Sequence, residues 1–259
     1  MVVTRPEPAA SKTVRALMAE GAEAIAIPLL KIEGLPVKKV LATYQPLLNN
    51  IVEPTKVIFI SAHAVQYGLP VLKKLKKFFP LARFIAIGAA TAGKLAAQGA
   101  QSVFVPALGE DSEALLAAPM LQKIRGQTIV IVKGESDAGG RTYLAESLSA
   151  RGAMVVGLVC YRRSMIDLPI KARNALKWAV AHSTHVLAGS VETLDAFDFN
   201  GGKILMSRIP HLLVPHQRIA KVAKARGAKQ ISVVSLEDNN LVETLANLQV
   251  NLYPAPPCG

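Results

Sequence analysis

The sequence predicts an α/β protein with two parallel-sheet units built by internal duplication. Three observations predict it. Short apolar runs rich in Val and Ile alternate with longer amphipathic stretches, as in strands buried on both faces beneath helices. Landmarks of one half recur in the other at a nearly constant offset, the mark of a repeat. In each half a linker-like segment follows a strand in mid-sequence, so the chain leaves one unit, builds the second and returns.

The strand candidates run in order through 2–4, 24–30, 57–61, 84–88, 102–106 and 128–133. They continue through 154–161, 185–189, 203–206, 212–215 and 231–234. Between them lie amphipathic stretches such as 9–20, 89–98, 142–151 and 217–226. Four helices end at Glu20-Gly21-Ala22, Gln98-Gly99-Ala100, Arg151-Gly152-Ala153 and Arg226-Gly227-Ala228, each placing Gly where a left-handed cap is wanted. Gly21 and Gly152 are 131 residues apart, Gly99 and Gly227 are 128 apart, and Ser61 and Ser190 are 129 apart. Segments 33–36 and 161–166 read as inter-domain linkers. They leave a discontinuous domain 1 (1–32 plus 167–259) and a domain 2 (37–160), with a cleft expected between the two.

Composition narrows the function classes. The 259 residues are 51% hydrophobic and 19% charged, enough for a real core and against long disorder. The two cysteines, Cys160 and Cys258, exclude a disulfide framework or a Cys-based zinc site and fit a reducing cytoplasm. No apolar run reaches the roughly 18 residues of a membrane helix, and the opening residues lack a signal peptide's apolar stretch. The formal charge of +12 asks for an anionic partner: nucleic acid, a phosphate compound or a polycarboxylate.

The motifs discriminate further. Gly88-Ala89-Ala90-Thr91-Ala92-Gly93-Lys94-Leu95 follows a strand and satisfies G-x-x-x-x-G-K. Leu95 stands where a phosphate loop needs a magnesium-binding hydroxyl, which argues against ATP or GTP. The first turn of that helix, with free N–H groups and the Thr91 hydroxyl, suits a carboxylate instead. Ser61-Ala62-His63 and Ser190-Val191-Glu192 are strand-to-helix turns. Their serines serve as N-caps and put donors at the carboxyl ends of parallel strands, where open α/β sheets bind ligands. No dinucleotide fingerprint or G-x-S-x-G elbow occurs, and His182 and His185 have no acidic or Cys partner nearby for a metal. The Lys73-Lys74-Leu75-Lys76-Lys77 run lacks the interleaved aromatics of single-strand binders. Tyr161-Arg162-Arg163 reads either as a linker anchor with two solvated arginines or as a phenol flanked by cations that attract an acidic substrate.

Taken in order, these motifs resemble the uroporphyrinogen-III synthase family. The resemblance rests on Val3-Thr4-Arg5-Pro6, Ile58-Phe59-Ile60-Ser61-Ala62-His63-Ala64-Val65 and Ile87-Gly88-Ala89-Ala90-Thr91-Ala92. It continues with Val132-Lys133-Gly134-Glu135, Gly140-Arg141, 151–163 and Val214-Pro215-His216-Gln217-Arg218. His63 departs from the Asn or Arg frequent there, Gln217 from Pro, and Asp137-Ala138 lengthens a turn. Ile219 replaces the hydroxyl that symmetry would set opposite Thr91.

The resemblance implies two α/β domains joined by a two-stranded linker, and a cofactor-free, metal-free dehydrating cyclisation of hydroxymethylbilane. The last pyrrole ring is inverted by way of a spiro intermediate. Tyr161 is the implied general acid. Arg5, Ser61, Ala62, His63, Gly88, Thr91, Lys133, Gly134, Arg141, Ser190 and His216 are the implied substrate contacts. A cytoplasmic monomer follows, without nucleic-acid or membrane partners, with transient handover from the preceding pathway enzyme. Two rivals remain in other classes: a non-catalytic two-domain binder of an anionic small molecule, and a nucleic-acid-associated protein motivated by charge alone.

Overall fold

The computed structural model describes residues 1–49, 54–75, 82–107, 109–135, 140–236, 241, 243 and 244. The chain divides into two compact units, Met1–Ile32 with Ser164–Gly259, and Glu33–Arg163. This division leaves Tyr161, Arg162 and Arg163 with the second unit. Cys258, the Pro254 to Pro257 tail, Lys76, Lys77, Asp137 and Ala138 lie outside the described residues.

The first unit contains β1 (Val2–Val3), α1 (Ala9–Ala19) and β2 (Ile25–Ala26). The chain then crosses on β3 (Leu30–Gly34). The second unit comprises α2 (Val37–Asn49), β4 (Pro54–Phe59), α3 (Ala62–Lys74), β5 (Arg83–Ala86), α4 (Ala89–Ala96) and β6 (Val103–Phe104). It continues with α5 (Ser112–Ala117), β7 (Thr128–Gly134) and α6 (Gly140–Ala150), and the chain crosses back on β8 (Met154–Met165). The first unit is completed by α7 (Ile170–Ala181), β9 (Val186–Leu187), α8 (Val191–Gly201), α9 (Ile204–Ser207), β10 (Leu212–Val214), α10 (Gln217–Ala225) and β11 (Ile231–Val233).

The first sheet has the order β11-β10-β9-β1-β2 and the second β3-β8-β7-β4-β5-β6. Matching β9, β10 and β11 with β4, β5 and β6, and β1 and β2 with β7 and β8, gives the same order in both. The eight pairings within these five-strand sets are all parallel. β3 is the addition. Its flanks bond to β8 as Leu35 N–H to Cys160 O and Ile166 N–H to Leu29 O, so numbers rise on one strand as they fall on the other. The crossover pair is thus antiparallel, and both expected linkers carry strand.

Why the strands are apolar throughout is visible in the first sheet. Val2, Val186 and Leu212 bury one face against Leu176, Val180, Phe197 and Ile219, while Val3, Leu187 and Leu213 bury the other against Ala10 and Leu17. Alternation points every second side chain to a different core, and each such side chain contributes roughly 1.5–3 kcal/mol.

The four glycine caps share one geometry. Gly21, Gly99, Gly152 and Gly227 have φ of 81°, 91°, 84° and 98°. In each, the next amide bonds back to the same carbonyl position: Ala22 to Leu17, Ala100 to Leu95, Ala153 to Leu148 and Ala228 to Ala223.

Two strand expectations are corrected. Of the expected strand 203–206, residues 204–206 belong to the helix α9 (Ile204–Ser207), which buries Leu205 and Met206, and Lys203 is its N-cap. Four residues cannot show a period, and Leu and Met lack the β-branching that would have favoured a strand. The run 24–30 is not one strand: β2 stops at Ala26 and pairing resumes only at Leu30, in the other sheet.

Candidate active site

The site is built on the carboxyl edge of the second sheet. After β4 the backbone stays extended at Ser61 (φ −170°), and its Oγ accepts the Ala64 N–H at 3.1 Å, opening α3. α3 lies close on the sheet because Gly68 has no side chain. A Cβ there would sit 2.2 Å from Val132 Cγ1 and 3.2 Å from Cys160 Sγ.

A register shift in β8 sets Tyr161. Lys133 pairs with Val159, but Gly134 pairs with Tyr161, so Cys160 is the extra residue of a bulge. Without it Tyr161 would alternate away from α3; with it Cys160 and Tyr161 both face α3. Tyr161 is fully buried, its Oη 3.1 Å from Ser61 Oγ. Its ring centroid is 6.1 Å from that of His63 and 6.0 Å from that of Tyr67, one helical turn apart on α3. Gly134 provides the floor, since a Cβ there would lie 2.6 Å from Tyr161 Cε2. The Glu135 N–H bonds Tyr161 O at 2.8 Å and fixes the strand beside it.

The electrostatics are one-sided. Burial, then the Arg163 guanidinium and the Lys94 ammonium, push the His63 imidazole down to about 4, so it is neutral near pH 7. Lys94 donates to Gln66 Oε1 at 3.0 Å, linking α4 to α3. Arg163 has its Nε buried with no hydrogen-bond partner among the described residues. Arg162 alternates to the other side and pairs with Glu33 at 3.5 Å, both side chains exposed. The Cys160 thiol is pushed up to about 12 by burial and is no nucleophile.

At the neighbouring strand end Gly88 precedes α4, and the Ala89 N–H donates to Glu110 Oε1 at 2.8 Å. A Cβ at Gly88 would meet the Glu110 carboxyl at 2.3 Å. The helix N-terminus expected to receive a carboxylate thus already holds one from its own chain. Thr91 is buried in the first turn.

The sequence-predicted residues separate accordingly. Ser61, Ala62, His63, Gly134 and Tyr161 come together, and Gly88 and Thr91 sit at the next strand's end. Lys133 does not join them. By alternation from Val132 it projects to the opposite face, its chain along Gly157, whose added Cβ would lie 3.1 Å from Lys133 Cε. The Arg141 side chain lies outside the described residues. In the first unit Arg5 Nη1 donates to Thr13 Oγ1 at 2.8 Å and Leu236 O at 3.1 Å. Ser190 caps α8 by accepting the Thr193 N–H, and exposed His216 caps α10 without a side-chain bond.

Sequence reasoning missed Tyr67 and Glu110; it named Arg163 without separating it from Arg162, and met Lys94 only within the G-x-x-x-x-G-K match. Tyr67 was within reach, being four residues from His63 on a helix. Glu110 carries no signal, because its partner Ala89 is 21 residues away. Among the described residues no group of three His, Cys, Asp or Glu could hold a metal, and no helix is long and apolar enough to cross a membrane.

Comparison with known proteins agrees across the chain. A family model described as uroporphyrinogen-III synthase HemD matches residues 11–235. The uroporphyrinogen-III synthase of Escherichia coli (strain K12) is 32% identical over 252 residues, covering 93% of this chain and 96% of that protein. That of Proteus mirabilis is 32% identical over 195 residues, covering 75% and 94%. Among solved structures, a mutant uroporphyrinogen III synthase from Thermus thermophilus has TM-score 0.64 at 17% identity, covering 97% of each chain. The Helicobacter pylori uroporphyrinogen-III synthetase has TM-score 0.55 at 14% identity, covering 88% of this chain and 94% of the other. At these identities the structures speak for the fold alone.

Proposed function

The chain belongs to the uroporphyrinogen-III synthase family, and from that membership we propose how its own residues perform the reaction. It is an enzyme of heme biosynthesis acting on a small tetrapyrrole. The reaction is a hydro-lyase cyclisation: hydroxymethylbilane loses its terminal hydroxyl as water and closes to uroporphyrinogen III with the last ring inverted. One observation carries this reading at the site: the Tyr161 phenol is held on Ser61, next to the His63 ring on which the Arg163 and Lys94 charges act.

Loss of hydroxide from carbon needs a proton at the leaving oxygen. Tyr161 supplies it. Because Tyr161 is fully buried while Ser61 is half-buried, the proton leaves through the Ser61 hydroxyl, which protonates the departing oxygen as Tyr161 reprotonates Ser61. The resulting electrophilic azafulvene attacks internally to a spiro intermediate. That intermediate fragments and recloses, and the proton lost at rearomatisation restores Tyr161. His63, neutral at pH 7, adds no charge to this path.

The eight carboxylates of the bilane meet the donors at the strand ends. These are the turn at Ser61-Ala62-His63 and the Thr91 hydroxyl, with Gly134, Arg141, Ser190 and His216 as further contacts; Arg5, Lys133 and Gly88, whose donors face or hold other groups of the chain, are not among them. Folding the flexible chain so that its ends meet supplies much of the acceleration. The working protein is a cytoplasmic monomer in this reading, with domains at 1–32 plus 167–259 and 37–160 linked by 33–36 and 161–166. It receives its substrate from the preceding pathway enzyme.

The test is to incubate purified protein with freshly generated hydroxymethylbilane and separate the product isomers. Predominant type III ring is expected. Only the uninverted type I ring, as forms spontaneously, would overturn the reading, and tight binding without turnover would favour a non-catalytic binder.

A further inference from the structure

Three cations lie close in sequence or space to Tyr161, and they are not equivalent. Arg162 faces away and is paired with Glu33. Lys94 is held by Gln66. Arg163 lies two residues beyond Tyr161 on β8, hence on its side of the strand, and faces His63. Its Nε is buried and makes no hydrogen bond to any described residue.

An unsatisfied donor of a buried charged group is costly, and proteins keep one where something else completes it. The other half-buried arginines show the contrast. Arg151 donates to the Leu116 and Leu121 carbonyls, Arg173 pairs with Asp167, and Arg226 with Asp195 and Asp198. His63 offers Arg163 no counter-charge, since an imidazole is either neutral or cationic. A planar guanidinium left open beside a second cation fits a carboxylate in the two-pronged manner.

We propose that Arg163 is the anchor for one carboxylate of the substrate, closing a two-pronged ion pair beside Tyr161 with Lys94 as the second positive charge. The reading rests on the proposed polycarboxylate substrate and deepens it: it selects one arginine out of the Arg162-Arg163 pair and assigns the other to β3. Arg163 binds and orients; it transfers no proton. Its loss therefore acts on substrate affinity, whereas loss of the Tyr161 hydroxyl acts on turnover.

The test compares wild type with Arg163→Gln, Arg163→Lys and Arg162→Gln, reading KM and kcat on hydroxymethylbilane and the melting temperature. Arg163→Gln is expected to raise KM about ten-fold or more, the value of a charge-assisted pair, with kcat within about three-fold and no fall in melting temperature. Arg162→Gln should change KM less than about two-fold. In parallel, succinate titrated at pH 7 should shift the His63 Hε1 resonance saturably in wild type and not in Arg163→Gln. An unchanged KM, or a succinate response that persists without Arg163, overturns the assignment. Should Arg163→Gln fail to fold, Arg163→Lys carries the test, with KM raised about three-fold by loss of the fork geometry. Should wild type convert no bilane, the enzymatic reading fails, while the succinate arm still decides whether Arg163 holds a carboxylate.

Discussion

The two sheets repeat one strand order, yet their carboxyl edges carry different chemistry. At offsets of 128 to 131 residues, Tyr161 corresponds to Leu30, His63 to Glu192, Tyr67 to Ala196 and Thr91 to Ile219. Only Ser61 and Ser190 match, and both cap a helix. Duplication preserved what the backbone needs: the caps, the glycine turns and the order of strands. It did not preserve the polar cluster. Among the described residues, the second sheet's edge has a guanidinium with an open buried donor, a buried phenol and a neutral imidazole; the phenol's counterpart in sequence is the buried Leu30, which opens β3. In the proposed mechanism the proton transfer therefore belongs to the second unit.

The sharpest way to break this asymmetry is Tyr161→Phe. The ring and its packing on Gly134, His63 and Tyr67 remain, so stability should fall by about 1 kcal/mol, the worth of one hydrogen bond. Turnover should fall about 100-fold or more, the usual contribution of a positioned acid. Single-turnover kinetics beside thermal melts would check it; wild-type turnover removes Tyr161 as the proton source. Gly134→Ala is gentler on the chemistry and harder on the fold. Its methyl would collide with a ring enclosed on its other side by α3, costing about 1–3 kcal/mol as overpacking. As the ring tilts off Ser61, kcat should drop more than KM rises. A normal kcat with normal stability would mean the floor is not rigid.

Much of this arrangement was legible in sequence, and the rest was not for identifiable reasons. Apolar runs and Gly caps declared the two α/β units because both follow from local backbone rules. Ser61, His63 and Tyr161 were found as types of residue at strand ends. What placed Tyr161 on α3 was the extra residue at Cys160, and a bulge leaves no pattern in a uniformly apolar strand. Lys133 falls on the opposite face for a simpler reason: neighbouring residues of one motif part company by strand alternation. Arginine identity likewise says nothing of whether its donors are already engaged, as those of Arg5 are by Thr13 and the Leu236 carbonyl.

The amino edge of the first sheet offers a second contrast. There His185 and His211 lie buried with ring centroids 4.9 Å apart, bonded to Thr184 and Ser232 respectively, each with its other nitrogen unpartnered among the described residues. Burial, then His211 and the N-terminal ammonium, lower His185 to about 4; burial lowers His211 as well. The unfolded chain takes up these protons near the ordinary value of about 6.5. Between about 6.5 and 4 it therefore binds more protons than the folded one. The histidines' contribution to stability is constant above that window and is lost as pH falls through it. His63 contributes with the same sign from the other sheet. The urea midpoint should be lower at pH 4.5 than at pH 7.5, and His185→Leu should shrink the difference. An undiminished difference would assign the acid sensitivity elsewhere.

The smallest effect is the most discriminating. Ser61→Ala and Ser190→Ala each remove one side-chain cap from one helix, so each should cost about 1 kcal/mol of stability. The caps are alike: Ser61 Oγ accepts the Ala64 N–H at 3.1 Å and Ser190 Oγ the Thr193 N–H at 3.3 Å. Their second partners are not. Ser61 Oγ meets Tyr161 Oη at 3.1 Å, whereas Ser190 Oγ meets Thr193 Oγ1 at 3.2 Å, within its own helix turn. Equal melting temperatures with kcat lowered only in Ser61→Ala would show that the same cap was recruited as a proton path in one copy alone. Any kinetic change in Ser190→Ala should appear in KM, as loss of a substrate contact. If Ser61→Ala retains wild-type kcat while Tyr161→Phe does not, the proton reaches the substrate without passing through Ser61. The buried phenol would then have to be exposed by a movement of the His63 and Tyr67 rings that cover it.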